Sequence, residues 1–266
     1  MNKTAIEKMK KVKHKILVMS GKGGVGKTTV TVNIAFALAK KGFKVGIMDV
    51  DIHGPNVPLM TGTEGTRVQG SEGNIQPVVS PEDDRVKVLS ISAFLENPDA
   101  PIIWRGPRKI GVINQFMGEG NWSDVDVLLI DCPPGTGDEP LSVAQNIPDA
   151  DGAIVVTSPQ EVALLDSRKS VNFLKQLNIN VLGIVENMSG FTCPHCNKVV
   201  DIFKRDGGKK AAEQMEVNFL GQVPLNPKVV ESGDEGKPIV IADPENPASK
   251  VFSKITDEIS RDWHPD

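Results

Sequence analysis

Short apolar runs return along the chain at residues 16–19, 45–48, 86–91, 125–130, 153–156, 181–185, 219–223 and 239–241. Several are continuous rather than alternating, the pattern of parallel strands covered on both faces. Helical periodicity separates many of them. In residues 29–41, Val32, Ala35, Leu38 and Ala39 recur at helical spacing and Gly42 stands at the stop; residues 161–177 and 207–215 also read as helices. The alternation predicts one doubly wound α/β domain, a mostly parallel sheet with helices on both faces and a ligand at the carboxyl ends of the strands. A charged lead-in is expected over residues 1–14 and the domain over 15–266, with no internal repeat. Residues 61–85, rich in Gly, Ser, Glu and Asp, read as a mobile excursion, and a short helix is expected near 110–116, after Trp104, Arg105, Gly106 and Pro107. In the last stretch, residues 248–263, Val251, Phe252, Ile255, Ile259 and Trp263 share one face, as in a helix packed on the sheet.

The first strand runs into Gly21, Lys22, Gly23, Gly24, Val25, Gly26, Lys27 and Thr28, with Thr29 opening the helix. This is the phosphate-binding loop pattern in its strand–loop–helix context. Glycines let consecutive backbone N–H groups turn toward the phosphates, Lys27 supplies a point charge, Thr28 offers a hydroxyl to Mg²⁺, and the helix N-terminus favours an anion. P-loop NTPase chemistry with ATP and Mg²⁺ is the expectation.

Composition narrows the partners. A net charge of −4 and a pI near 5.7 argue against a nucleic-acid-coating surface, and the absence of Tyr argues against a base-stacking platform. No apolar run approaches the ~20 residues that span a bilayer. The acidic Asp257, Glu258 and Asp262 on the last helix argue against a membrane-surface role. Three cysteines do not make a disulfide framework, and the chain reads as cytoplasmic.

Asp131 ends the apolar run before Cys132, Pro133, Pro134, Gly135, Thr136, Gly137 and Asp138. A carboxylate there is placed to hold the Mg²⁺ shell, and the glycines suit a segment that shifts with the terminal phosphate. Asp49 and Asp51, two residues apart at the end of the second strand, leave it on the same side. His53 competes with them by residue type but reads as a structural loop histidine. Asn187 comes after the run at 181–185; its amide, donor and acceptor together, suits an adenine edge.

Lys22, just after the first glycine, is not needed by an ordinary phosphate loop. The stretch 20–29 resembles the deviant loop of the dimerising ATPases that include the ParA/MinD positioning proteins and the nitrogenase iron protein. That resemblance implies a homodimer in which Lys22 reaches the partner's nucleotide. It also implies that Asp51 orients the attacking water, that Asp49 lies nearer Mg²⁺, that Asn187 contacts the base, and that Pro224 lies in the segment walling the adenine pocket.

Cys193 and Cys196 form a Cys-x-x-Cys pair with Pro194 and His195 between them. A dithiol redox pair wants a helix immediately after it, whereas residues 197–203 read as extended or irregular. A metal centre wants four ligands, and a two-fold dimer would supply Cys193 and Cys196 twice. Four thiolates serve both a [4Fe–4S] cluster and zinc, so the spacing does not name the metal. With the loop at 20–28, Asp51-Ile52-His53-Gly54-Pro55-Asn56, the Trp104–Pro107 motif and Glu186-Asn187-Met188-Ser189 in order, the chain resembles the Mrp-type (ApbC-like) iron–sulfur carrier ATPases. It departs from them at Cys132, where an aliphatic residue is usual, and at Asn197, where glycine is common. The resemblance implies an ATP-hydrolysing cluster carrier that transfers its cluster to apo-proteins. The alternatives are a ParA/MinD-type positioning ATPase, against which the cysteine pair speaks, and an ATPase dimer stapled by zinc.

Overall fold

The structure is a computed structural model that describes residues 7, 9–71, 73–94, 106–193, 195–196 and 198–265. In chain order the elements are β1 (His14–Ser20), α1 (Lys27–Lys40), β2 (Val45–Asp49), α2 (Val57–Met60), β3 (Gln69–Ser71), β4 (Asn74–Gln76), β5 (Val78–Ser80) and β6 (Asp83–Ser90). There follow α3 (Gly106–Glu119), β7 (Val127–Asp131), α4 (Asp138–Asn146), β8 (Gly152–Thr157), α5 (Glu161–Gln176) and β9 (Val181–Glu186). The chain ends with β10 (Phe191–Thr192), β11 (Val199–Val200), α6 (Gly207–Met215), β12 (Phe219–Gln222), α7 (Pro227–Asp234), α8 (Ile239–Ala242) and α9 (Pro247–Ile259).

Eight strands form one sheet in the order β12-β9-β8-β1-β7-β2-β6-β5, and only the edge strand β5 runs antiparallel to its neighbour. The continuous apolar runs are explained by the two core layers. Ile16 and Val18 of β1 pack into the layer that holds Phe36 of α1 and Phe252 of α9. Leu17 and Met19 face the other layer, with Phe116 of α3, Leu174 of α5 and Ala211 of α6. Each fully buried aromatic or aliphatic side chain in these layers stabilises the fold by about 1.5–3 kcal/mol. Helix α1 ends where expected: Gly42 takes φ +100°, a left-handed value that stops a helix and that side chains resist.

Three expectations need correction. Residues 239–241 are not a strand; Ile239 and Val240 begin α8 and are buried, with the Val240 N–H donating to Asn33 Oδ1 of α1 at 3.3 Å. A three-residue apolar run carries no periodicity that separates a buried strand from a buried helical turn. The segment expected as an excursion contains the β3–β4 ribbon and the edge strand β5, tied down by Ser80 Oγ donating to Thr61 O at 2.8 Å. Within the charged lead-in, Met9 and Val12 are buried in the second core layer, three residues apart on one face. Trp104, Arg105, Pro194 and Asn197 lie outside the described residues.

Candidate nucleotide and cysteine sites

The carboxyl end of β1, at the centre of the sheet, delivers the loop at 21–26 to the N-terminus of α1. Gly24 and Gly26 both take φ +79°. A Cβ on Gly26 would lie 2.1 Å from Asn187 Nδ2, and one on Gly21 would lie 2.2 Å from the backbone carbon of Asp166 in α5. At Gly23 and Gly24 a Cβ would meet nothing within 4 Å, so the loop opens on that side. Val25 is buried, and its carbonyl accepts from Asn187 Nδ2 at 3.0 Å.

Lys27 is buried, with its ammonium 2.7 Å from Asp131 Oδ2 and 3.6 Å from Asp51 Oδ2. These are charge contacts; the ammonium has no well-angled acceptor among the described residues. Burial alone would lower the Lys27 pKa, but the facing carboxylates of Asp131 and Asp51 reverse that and hold it above its usual value. Asp131, fully buried, accepts from Thr28 Oγ1 at 2.8 Å and Thr31 Oγ1 at 2.6 Å. Asp49 accepts from Ser90 Oγ at 2.9 Å and from the Asp51 N–H at 3.2 Å. Its burial, reinforced by the charge of Asp131, pushes its carboxyl up to about 8. Burial also raises Asp51, against the pull of Lys27.

One ammonium therefore faces three carboxylates at the end of the loop. A buried donor without an acceptor fits a phosphate oxygen, and the Thr28 hydroxyl with the Asp131 and Asp49 carboxylates fits a hard cation such as Mg²⁺. Thr29 is half-buried at the first turn of α1, and its carbonyl accepts from Asn33 Nδ2 at 2.9 Å. Lys22 is half-buried and makes no ion pair among the described residues. Pro224 is half-buried just after β12, between Val223, whose N–H donates to Glu186 O, and Leu225, whose N–H donates to Gly190 O. Asn187, expected at a base edge, is spent here on the loop carbonyl.

Gly135, at φ +90°, donates to Ser20 O at 2.8 Å and holds the segment after β7 against the loop. Cys132 lies inside the second core layer, where burial raises its thiol well above the usual range. It packs as a small apolar side chain. Lys109 of α3 gathers His53, at 2.8 Å, and Glu139 of α4, at 3.0 Å.

The cysteine pair tips an antiparallel ribbon, β10 against β11, with Phe191 opposite Val200 and Thr192 opposite Val199. The Cys193 N–H donates to Lys198 O at 2.9 Å. Cys193 is half-buried, Cys196 exposed, and both are free thiols. The backbone N–H groups of His195 and Cys196 turned toward Cys193 lower its pKa, which favours the thiolate a metal binds. Among the described residues no helix comes directly after the pair; the strand β11 does. Among the described residues, no three His, Cys, Asp or Glu side chains converge into a metal-holding group, so the pair alone offers two thiolates.

Sequence reasoning missed Thr31, Ser90, Lys109 and Glu186. Thr31, four residues after Lys27 on the same helix face, was legible from spacing. The other three come from distant segments.

The NUBPL iron-transfer P-loop NTPase family, within the ParA group, matches residues 11–260. The chain belongs to this family. An iron-sulfur cluster carrier protein of Methanocaldococcus jannaschii is 53% identical over 95% of this chain and 86% of its own length. A cytosolic Fe-S cluster assembly factor, the Nubp2 homolog of Aedes aegypti, is 46% identical over 95% of this chain and 98% of its own. Among solved structures, a nucleotide-binding protein of Archaeoglobus fulgidus in complex with ADP superimposes with a TM-score of 0.80 at 35% identity, covering 95% of this chain and 97% of that one. As a member of the family, the chain is a P-loop NTPase of the iron-transfer branch. No helix among the described residues is long and apolar enough to cross a membrane.

Proposed function

We propose that this chain is a homodimeric ATPase that carries an iron–sulfur cluster between two protomers and passes it to apo-proteins. The observation that carries the reading is the ribbon at Cys193 and Cys196: a pair of free thiols, one half-buried and one exposed, half of a four-thiolate set, on a chain with a complete phosphate loop. A second copy of the ribbon completes the set, with the cluster as cargo at the two-fold axis. The names borne by the Methanocaldococcus and Aedes relatives support the same cargo.

In this reading Lys27 and the loop N–H groups bind the phosphates, and Thr28, Asp131 and Asp49 would hold Mg²⁺, which neutralises charge on the leaving phosphates. Asp51, beside Lys27 at 3.6 Å, orients the attacking water. Lys22, without an ion pair among the described residues, reaches the partner's nucleotide. ATP binding then biases the interface that holds the cargo, and hydrolysis resets it.

Iron and sulfide analysis with mass measurement, after anaerobic reconstitution, tests the reading. One cluster per dimer is expected, lost in Cys193→Ser and in Cys196→Ser and kept in Cys132→Ser. A full cluster on an isolated monomer refutes the bridging arrangement, and zinc without sulfide replaces the carrier with a zinc-stapled dimer.

A further inference from the structure

Glu186 is the last residue of β9 and is completely buried. Its carboxylate takes four donors: Ser189 Oγ, the Asp206 N–H at 3.1 Å, the Gly208 N–H, and Gln222 Nε2 at 3.3 Å. Three of these donors come from the two ends of one excursion of the chain, and Gln222 comes from the neighbouring strand β12. Ser189 lies two residues before β10, and Asp206 caps α6, which begins where the excursion returns. Between those ends stands the ribbon with Cys193 and Cys196. The return is tightly built: Lys204 and Asp206 both take left-handed φ, and a Cβ on Gly208 would lie 2.9 Å from Glu186 Cβ.

The next residue, Asn187, belongs to the phosphate loop. Its amide donates to Val25 O, and its own N–H donates to Thr157 O at 2.8 Å. One peptide bond therefore separates a side chain seated on the nucleotide loop from a carboxylate that closes the cysteine excursion. We infer that Glu186 is a positioning residue that links the nucleotide loop to the cysteine ribbon, so that a shift of Asn187 on nucleotide binding moves both feet of the ribbon. This rests on the proposed coupling of ATP to cargo, and it names the covalent and hydrogen-bonded route through which that coupling runs inside one protomer.

The link is tested on the full-length apoprotein by the rate of cysteine alkylation at Cys193 and Cys196, with and without Mg²⁺-ATP. The ratio of the two rates is the readout. A variant that merely loosened the ribbon would raise both rates together and leave the ratio alone. In the wild type the ratio is expected to depart from one by about fivefold or more, the scale of an ordinary coupling between sites. Glu186→Gln cannot accept from Gly208 with its amide nitrogen, and its ratio is expected to fall to within about twofold of one while ATP affinity by calorimetry persists. Ser189→Ala removes a single donor and serves if Glu186→Gln does not fold; its ratio should lie between the two.

An unchanged ratio in folded Glu186→Gln, or in Ser189→Ala when only that variant folds, overturns the inference and leaves the carrier reading standing. A wild-type ratio of one overturns the inference and the ATP–cargo coupling together. The cluster-per-dimer analysis, which does not depend on the ratio, reports separately on the carrier itself.

Discussion

Removing the Lys27 ammonium should reveal how much of this fold's stability is held by one charge. In Lys27→Ala, Asp131 at 2.7 Å and Asp51 at 3.6 Å lose their counter-ion while Asp49 stays buried behind them. At an effective dielectric near 20, the two contacts correspond to about 6 and about 5 kcal/mol of gross attraction. Most of that offsets the desolvation of the same groups, and breaking one side of a buried pair typically costs about 3–5 kcal/mol. The hydroxyls of Thr28 and Thr31 still donate to Asp131, which places the expected loss at the low end, about 3 kcal/mol. For a chain of this size that lowers the melting temperature by roughly 6–12 °C. The loss should depend on pH. Burial already raises the folded-state carboxyls of Asp49 and Asp51 against the pull of Lys27, so without the ammonium both rise further and the folded chain binds still more protons than the unfolded one between about pH 4 and pH 8. Stability then falls as pH rises from about 4 toward 8, and the deficit shrinks by up to ~1.4 kcal/mol for each unit of acidification inside it. Thermal scans of wild type and Lys27→Ala without nucleotide, at pH 8 and pH 5.5, measure both effects, and calorimetry should find tight ATP binding gone. Equal melting temperatures at pH 8, or a deficit that does not narrow at pH 5.5, would refute the view that Lys27 compensates this carboxylate cluster.

The same geometry sets three further outcomes. Asp49, with its carboxyl raised to about 8, keeps a proton in the folded chain that it loses near pH 4 on unfolding; Asp49→Asn should flatten the fall in melting temperature between those limits, and an unaltered pH profile would assign the proton elsewhere. Gly26→Ala forces a side chain into a left-handed backbone, at about 1–2 kcal/mol, and displaces the Asn187 amide from Val25 O, at about 1 kcal/mol more. Gly24→Ala, with the same φ but open space, should lose only the first amount, so matching denaturation midpoints for the two variants would contradict the Asn187 contact. Asp51→Asn should keep nucleotide affinity and slow steady-state hydrolysis by ~10²-fold or more, and unchanged turnover would move the water-orienting role to another group.

The sheet and the loop were legible because their signals are local. Ile16, Leu17, Val18 and Met19 announce a strand buried on both faces, and the glycines with Lys27 announce a phosphate-binding turn at its end. The cysteine pair was legible for the same reason, two thiols three residues apart, whereas the two-residue strands that pair beneath it were too short to announce a ribbon. Ile239 and Val240 were misread because burial, not periodicity, made them apolar. Val78, Val79 and Ser80 were hidden in a polar segment because an antiparallel edge strand needs only one neighbour and one buried face. Glu186 stood in a family motif but carried no sign of its role. A glutamate at a strand end reads as solvated until α6 and Gln222 close over it, and both approach it from positions well downstream in the chain.

The place of β1 in the sheet bears on how the protein is made. Strand β1 pairs with β7 and β8, whose first residues, Val127 and Gly152, leave the ribosome more than a hundred residues after Ser20. Its neighbour but one, β2, finds β6 far earlier. At about 5–20 residues per second, β1 waits on the order of 5–20 s with its apolar face unpaired. During that interval the nascent chain carries a phosphate loop with no Asp131 behind it and no Asn187 beside it. A chain cut short before Thr157 should therefore be a client for chaperones rather than a weak nucleotide binder, and capture of nucleotide marks a polypeptide whose central strand has been enclosed on both sides.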